Sequence, residues 1–312
     1  MKTISKCRIG LIWRCQVVAL GSLLLGMPLQ AALIYETWSA YHHITVIDSG
    51  GLRTLSFNGS AETRMSLANP LTGHFGYTEY FQMPLLFNTN ASNVLMIGLG
   101  GGSAQRAYAH YHPQVKVETV EIDPDVVTVA KKYFGCQRTT NHNITVADGR
   151  MFLRHHNGKF DVIILDAYRA GRYGSDIPHH LATREFFKLA ADHLTDNGVL
   201  AYNVIGTING WRSHVLATMH RTMKTVFPTI YLFPATDSQN VVILATKSKE
   251  TVSPLKLLQR LDAISKIGHR FPPNFPALLN HCITNTPPGV LNAPVLSDDF
   301  CPPDGLIFGH GP

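Results

Sequence analysis

Val94-Leu95-Met96-Ile97-Gly98-Leu99-Gly100-Gly101-Gly102-Ser103 is the stretch on which the reading of the fold turns. Four apolar residues closed by glycine describe a short strand buried on both faces. The glycines allow a sharp bend and a close approach of backbone to a ligand. From Ser103 to about Tyr111 the sequence suits a helix. Strand, glycine-rich bend and helix in that order form a βαβ entry loop, and open α/β sheets bind their ligands there, beyond the carboxyl ends of the strands.

Downstream the alternation continues. Val115 to Ile122 reads as a second strand, about Asp125 to Phe134 as a helix, Ile144 to Val146 as the third strand, Val162 to Leu165 as the fourth and Val199 to Asn203 as the fifth. Helices at about Thr183 to Leu194 and Trp211 to Val226 cover the sheet, and Val241 to Ala245 closes it as an edge strand. Such alternation argues for a doubly wound α/β domain with a parallel sheet. Upstream the pattern is different. Ile44 to Ile47 and Leu52 to Phe57 flank Asp48-Ser49-Gly50-Gly51, a hairpin signal that predicts a small antiparallel module, followed by a helical stretch at about Gly76 to Leu86. From about Phe271 a Pro- and Asn-rich tail is expected to wrap over the domain irregularly. The expected division is therefore 1–31, a signal peptide or N-terminal anchor; 32–90, the β module and linking helix; 91–250, the Rossmann-like nucleoside-binding domain; and 251–312, a C-terminal helix and tail.

The first of these segments rests on Lys2, Lys6, Arg8 and Arg14 ahead of the apolar run Val17 to Leu29 and the small pair Ala31-Ala32. That order is the pattern of a secretory signal, and the run is short for a membrane span of about 20 residues. If the segment is cleaved, the protein is exported or periplasmic; if retained, it is a membrane anchor, with the folded domain cytoplasmic. Cys7 and Cys15 would leave with it, and Cys282 could pair with Cys301 in an oxidising compartment, leaving Cys136 over.

Composition narrows the partners. A net charge of +6 is not gathered into Lys/Arg blocks, so the electrostatic footprint of a nucleic-acid binder is missing. Sixteen histidines invite a metal reading, yet the pairs His42-His43, His155-His156 and His179-His180 are adjacent, and adjacent side chains diverge on helix or strand. No metal site is expected. Neither a Gly-x-Ser-x-Gly elbow nor a Walker Gly-Lys-Ser/Thr occurs, which removes the usual signatures of a serine hydrolase and a triphosphate site.

What remains is a row of acidic strand ends. Glu121 closes the second strand about 20 residues after the glycine bend, the position from which a carboxylate accepts both ribose hydroxyls of a nucleoside. Asp148, followed by Gly149 after the third strand, is placed either to accept from an adenine amino group or to make a turn, and Asp166 ends the fourth strand beside the same crevice. With Gly98, Gly100, Gly101 and Gly102 these residues indicate a nucleoside ligand.

Tyr77-Thr78-Glu79-Tyr80, Ile97 to Ser103, Val120-Glu121-Ile122-Asp123-Pro124, Ala147-Asp148-Gly149-Arg150, Asp166 with Ile177-Pro178, and Ser297-Asp298-Asp299-Phe300 together resemble the spermidine synthase (polyamine aminopropyltransferase) family, in particular its divergent bacterial spermidine synthase-like branch. The resemblance runs from Leu33 to about Leu306. It implies a class I methyltransferase-like Rossmann domain with a small N-terminal antiparallel β module, commonly a homodimer. It also implies decarboxylated S-adenosylmethionine as cosubstrate, a small-molecule amine as acceptor, Asp166 as general base and Tyr77 as the hydroxyl that orients the amine.

Two positions depart from the family pattern. Members carry an Asp where this chain has Gly101, thought to hold the aminopropyl ammonium, and a second Asp where it has Arg169. A guanidinium pointing into the pocket would repel a polyamine. Glu62, Glu79 and Asp176 are the candidate substitute carboxylates. The same departures keep S-adenosylmethionine itself in view as cosubstrate, its carboxylate meeting Arg169 or loop amides. They leave open a methyltransferase or a catalytically inactive adenosyl-ligand-binding protein.

Overall fold

The computed structural model describes residues 31–171 and 174–300. The signal or anchor segment and the pairing of Cys282 with Cys301 lie outside the described residues.

Four antiparallel strands come first: β1 (Ala32–Trp38), β2 (His43–Ser49), β3 (Leu52–Phe57) and β4 (Ser60–Ser66), in that spatial order. The β2–β3 hairpin turns at Gly50-Gly51 as the sequence predicts, pairing Ser49 with Leu52. A 3₁₀ turn, Gly76–Gln82, and the short α1 (Pro84–Phe87) then lead into the second sheet. Its elements follow in chain order as β5 (Asn93–Ile97), α2 (Ser103–Tyr111), β6 (Lys116–Glu121), α3 (Pro124–Phe134), β7 (His142–Val146), α4 (Gly149–His155) and β8 (Phe160–Leu165). A two-stranded flap, β9 (Arg169–Gly171) and β10 (Gly174–Asp176), precedes α5 (Arg184–Asp192), β11 (Leu194–Ile205), α6 (Ser213–Lys224), β12 (Thr229–Pro234) and β13 (Asn240–Thr246). α7 (Pro254–Ser265), α8 (Phe275–Leu278) and further 3₁₀ turns make up the C-terminal region.

The seven strands are ordered β12-β13-β11-β8-β5-β6-β7, with β13 antiparallel to both of its neighbours and the rest parallel. One expectation is corrected here. Residues 241–245 do not form the edge: β13 lies inside, and β12 is the outermost strand. Every residue of β13 after Asn240 is buried, as a strand covered on both faces requires. Pro228 precedes β12 and Pro234 is its last residue, and proline in a ladder is tolerated at an edge.

Alternate residues of β5 feed two cores. Leu95 and Ile97 pack with Leu153, Phe186, Phe187, Leu216 and Met219 on one face, while Val94 and Met96 pack with Phe81, Leu86, Tyr108, Leu257 and Phe275 on the other. Burying each such side chain contributes roughly 1.5–3 kcal/mol before chain entropy is counted. A third core joins the modules: Ile44, Val46, Leu55 and Met65 of the N-terminal sheet meet Val126, Val129 and Phe134 of α3, with Leu99 of the glycine bend among them. The antiparallel sheet is thereby fixed beside the carboxyl ends of the parallel strands.

The tail is tied down by its acidic motif. Asp298 accepts from Arg150 Nη1 and Nη2 at 2.8 and 2.6 Å and from Thr183 Oγ1 at 2.7 Å, joining it to α4 and to the N-cap of α5. Phe275, Leu279 and Leu296 are buried along the way.

Candidate active site

Strand order reverses between β5 and β8, and the space beyond their carboxyl ends is a cavity of about 710 Å³. The parallel sheet contributes Gly98, Gly100, Glu121, Asp148, Gly149, Asp166 and Asn203 to its wall. The N-terminal module contributes Tyr41, His42, Phe57, Glu62 and Thr63.

At the bend, Gly98 has φ +98°, and a Cβ there would run into the carbonyl oxygen of Asp166. Only glycine lets the β5 and β8 exits approach this closely. Gly101 and Gly102 behave differently from the expectation that all four glycines hold the ligand, since neither lines the cavity. The amide of Gly101 donates to Thr63 Oγ1 at 2.8 Å, and a Cβ at 101 would sit 2.7 Å from Thr63 Cγ2 and 2.9 Å from Phe134 Cδ1. At 102 a Cβ would meet Cys136 Sγ at 2.6 Å. These two glycines make room for packing behind the loop.

Glu121 is buried. Its Oε2 accepts the Leu99 amide at 3.0 Å and its Oε1 the Asp123 amide at 2.9 Å. Burial raises its pKa to about 7 against the pull of those amides. Each oxygen keeps a further lone pair, so the carboxylate can shape the bend and still accept hydroxyl donors. Of the two roles the sequence left open for Asp148, the turn is present: it caps α4, accepting the Met151 amide at 2.8 Å; it also lines the cavity, where its Oδ2 lies 2.9 Å from His180 Nε2.

On the other side of the cavity, Asp166 Oδ2 accepts from Tyr77 hydroxyl at 3.2 Å and Oδ1 from Asn203 Nδ2 at 2.9 Å. Asn203 Oδ1 in turn accepts from Asn240 Nδ2 at 3.0 Å. Burial raises the Asp166 pKa to about 6, while the Asn203 and Tyr77 hydrogen bonds hold it down. Burial likewise pushes the Tyr77 hydroxyl well above its ordinary value, with Asp166 adding to the shift, so Tyr77 is a donor throughout the physiological range.

The three candidate substitute carboxylates separate. Glu62 lines the cavity. Asp176 is buried against Arg212, 3.1 Å from Nη2, and Glu79 is held by His74 at 3.2 Å and Asn274 at 2.7 Å; neither lines the cavity. Arg169 does line it, exposed, with Nη2 3.0 Å from His179 Nε2. The adjacent histidines diverge: His179 faces Arg169 while His180 faces Asp148, and His42 stacks on Phe57 while His43 stacks on Trp38.

Residues 74–254, more than half of the chain, match the family model described as the spermine/spermidine synthase domain. The chain belongs to this family. A polyamine aminopropyltransferase of Vibrio vulnificus is 33% identical over 225 residues, covering 69% of this chain and 72% of the relative. A spermidine synthase solved in complex with the transition state analogue AdoDATO superposes with a TM-score of 0.59 at 22% identity, over 80% of this chain and 87% of that one. Human methyltransferase-like protein 13, solved with SAH, gives 0.51 at 23% identity, over 61% and 87%. These structural likenesses show the fold: a Rossmann-like, methyltransferase-type sheet, here carrying an antiparallel module at its N-terminal side. The relatives' names support a transferase.

Proposed function

We propose that the protein is an aminopropyltransferase that moves the aminopropyl group of decarboxylated S-adenosylmethionine onto an amine. The observation that carries this reading is Asp166, whose two oxygens are oriented by Tyr77 and Asn203 in the cavity that the glycine bend and Glu121 also line. Solved relatives with AdoDATO or SAH support an adenosyl cosubstrate, for which Glu121 supplies acceptors to ribose hydroxyls and Asp148 one to an adenine amino group.

An alkylammonium has no free lone pair, so a proton must leave the amine for it to attack. The amine nitrogen forms its bond to the methylene carbon beside the sulfonium. The C–S bond breaks and its electron pair stays on sulfur, giving neutral methylthioadenosine, while the amine proton passes to the Asp166 carboxylate. Tyr77, a donor fixed on the same carboxylate, holds the base in one orientation and limits the directions from which the amine approaches.

Arg169 supports a second reading, methyl transfer from S-adenosylmethionine, because a guanidinium at the cavity wall would suit the carboxylate that the decarboxylated form lacks. One experiment separates them. Purified protein is given either sulfonium compound with a panel of amines, and methylthioadenosine and S-adenosylhomocysteine are quantified. Methylthioadenosine from the decarboxylated form alone is expected. Formation of S-adenosylhomocysteine, or of neither product, overturns the proposal.

A further inference from the structure

We infer that the outer face of the N-terminal sheet, along β1, docks on an anionic lipid surface, with residues 1–31 retained ahead of it. The inference is independent of the chemistry in the cavity and concerns where the folded domain sits.

This sheet uses one face fully and the other by half. Ile44, Val46, Leu55 and Met65 turn inward onto α3. On the opposite face the loop after β4 covers the β3–β4 half: Arg64 Nε donates to the Gly73 carbonyl at 2.8 Å, and its guanidinium lies over Phe75, 5.0 Å from the ring centroid. The β1–β2 half has no such cover among the described residues, and a bulge decides what it shows. Leu33 pairs with Ile47 and Tyr35 with Val46, so Ile34 is an extra residue and Leu33 comes onto the face that Trp38 shares with its partner His43. Leu33 is 58% exposed and Trp38 73%. Glu36, the charge between them, is engaged by His43 Nε2 at 2.7 Å, and the Trp38 ring stacks on His43 with centroids 4.1 Å apart.

The sequence ahead of β1 says what meets this face. Lys2, Lys6, Arg8 and Arg14 precede the apolar run Val17 to Leu29, and β1 begins at Ala32. Cations followed by apolar residues attach a chain to an anionic bilayer, each cation and each buried methylene adding to the affinity. A run attached there holds Ala32 at the surface, because the intervening residues reach about 10 Å at most. Leu33 and Trp38 stand near the two ends of β1, roughly 15 Å apart along the strand. A strand lying flat on the bilayer therefore delivers both side chains to lipid, and one standing upright delivers only Leu33. Tryptophan suits the headgroup depth, where its ring is in apolar surroundings and its N–H stays wet. Lys132 of α3 adds a cation beside the same strand, its Nζ 6.0 Å from the Tyr35 ring centroid.

Trp38 is itself the probe. In the full chain carrying Trp13→Phe and Trp211→Phe it is the one tryptophan left. This chain is mixed with vesicles of phosphatidylcholine and phosphatidylglycerol, and Trp38 emission is quenched either by bromine on the lipid acyl chains or by iodide in the water. On vesicles Trp38 is expected to emit at shorter wavelength, to be quenched by the brominated lipid and to be shielded from iodide, with a weaker response to phosphatidylcholine alone. Leu33→Asp is expected to shift the balance between docked and undocked face by on the order of tenfold or more, the equivalent of one apolar side chain withdrawn from lipid. Bromine quenching then falls while the chain stays on the vesicle. Hydrogen exchange of the wild-type chain reads the same contact without tryptophan variants, as slower exchange of the β1 amides on vesicles. The inference is overturned by a chain that does not bind, by a bound chain whose Trp38 stays open to iodide, by quenching that Leu33→Asp leaves unchanged, or by a native chain that begins after Ala31 or Ala32. Trp38 shielded to the same extent without vesicles also overturns it, since a second copy or the chain's own first residues then cover the face.

Discussion

The cavity has two halves built in different ways. Around Gly98, Glu121 and Asp148 backbone engages most of the polar atoms: Leu99 and Asp123 amides hold Glu121, and the Met151 amide holds one oxygen of Asp148, the other facing His180. Around Asp166 and Glu62 the partners are side chains, namely Tyr77, Asn203 and Ser175. A backbone-organised half is rigid and recognises a constant part of a ligand. A half made of side chains can change its charge and reach by single substitutions, and Arg169, one of the two departures from the family pattern, lines the cavity on this side. In this chain, specificity is expected to vary where side chains do the positioning and nucleoside binding where the backbone does.

The comparison can be broken most directly at Asp166. Asp166→Asn removes the proton acceptor but keeps the shape, so kcat is expected to fall by roughly 10²–10⁴-fold, the range for losing a general base. Methylthioadenosine affinity, set by the other half, should stay within about twofold by calorimetry. An unchanged rate would remove Asp166 from the chemistry; a parallel loss of nucleoside affinity would show that the halves are not separable.

Gly98→Ala attacks the join between them. The added methyl meets the Asp166 carbonyl, and φ of +98° is a conformation that alanine resists. A cost of about 3 kcal/mol or more is expected, seen as a fall in Tm of roughly 6–12 °C together with loss of nucleoside binding. A variant that melts like the wild-type protein would mean that the bend is not under this constraint.

Asp298→Ala sharpens the contrast by touching neither half. Arg150 would keep the His180 carbonyl at 3.0 Å and lose the bidentate carboxylate. Because the Asp298 side chain is 39% exposed, water replaces part of the interaction, and about 1–2 kcal/mol is expected, a Tm lower by roughly 2–8 °C with nucleoside affinity unaltered. A kinetic effect without a stability effect would place the tail in the active site instead.

The same division explains what could be read from the sequence. Gly98, Glu121 and Asp166 stand at strand ends, so strand periodicity and the glycine bend locate them. Asn203 obeys the same rule, since the fifth strand as read from the sequence ends on it although β11 runs on to Ile205, but as a neutral amide it does not stand out in a row of acidic strand ends. β12 was hidden by the prolines before it and at its last position, which argue against a ladder strand everywhere except at the edge it occupies. Glu62 was legible only as one of three candidate carboxylates, and no local pattern sets it apart from Glu79 and Asp176, since its hydroxyl partner Ser175 is 113 residues away. His180 beside Asp148 and Thr63 beneath Gly101 are contacts between distant segments of the same kind. The backbone-organised half is legible because local sequence makes it; the side-chain half depends on how the N-terminal sheet and the flap settle on the parallel one.

The smallest effect concerns pH and tests whether side chains alone tune the base. Asp166 acts as a base only when ionised, so kcat/KM is expected to fall on the acid side, through about pH 6. Its pKa is raised from 3.8, mainly by burial; ionising it therefore costs stability, and its contribution is fully present below about pH 4 and lost as pH rises through about 6. Asn203→Leu deletes the donor on Oδ1, one of the two hydrogen bonds that hold the value down. The acid limb should then move upward, by about one to two pH units, with the rate above the limb nearly unchanged, because one hydrogen bond to a charged group is worth about that much. A purely structural role for Asn203 predicts a rate lowered equally at every pH and a limb that stays in place. Movement of the limb without loss at its plateau therefore separates tuning of the base from damage to the fold, which a single-pH assay cannot do.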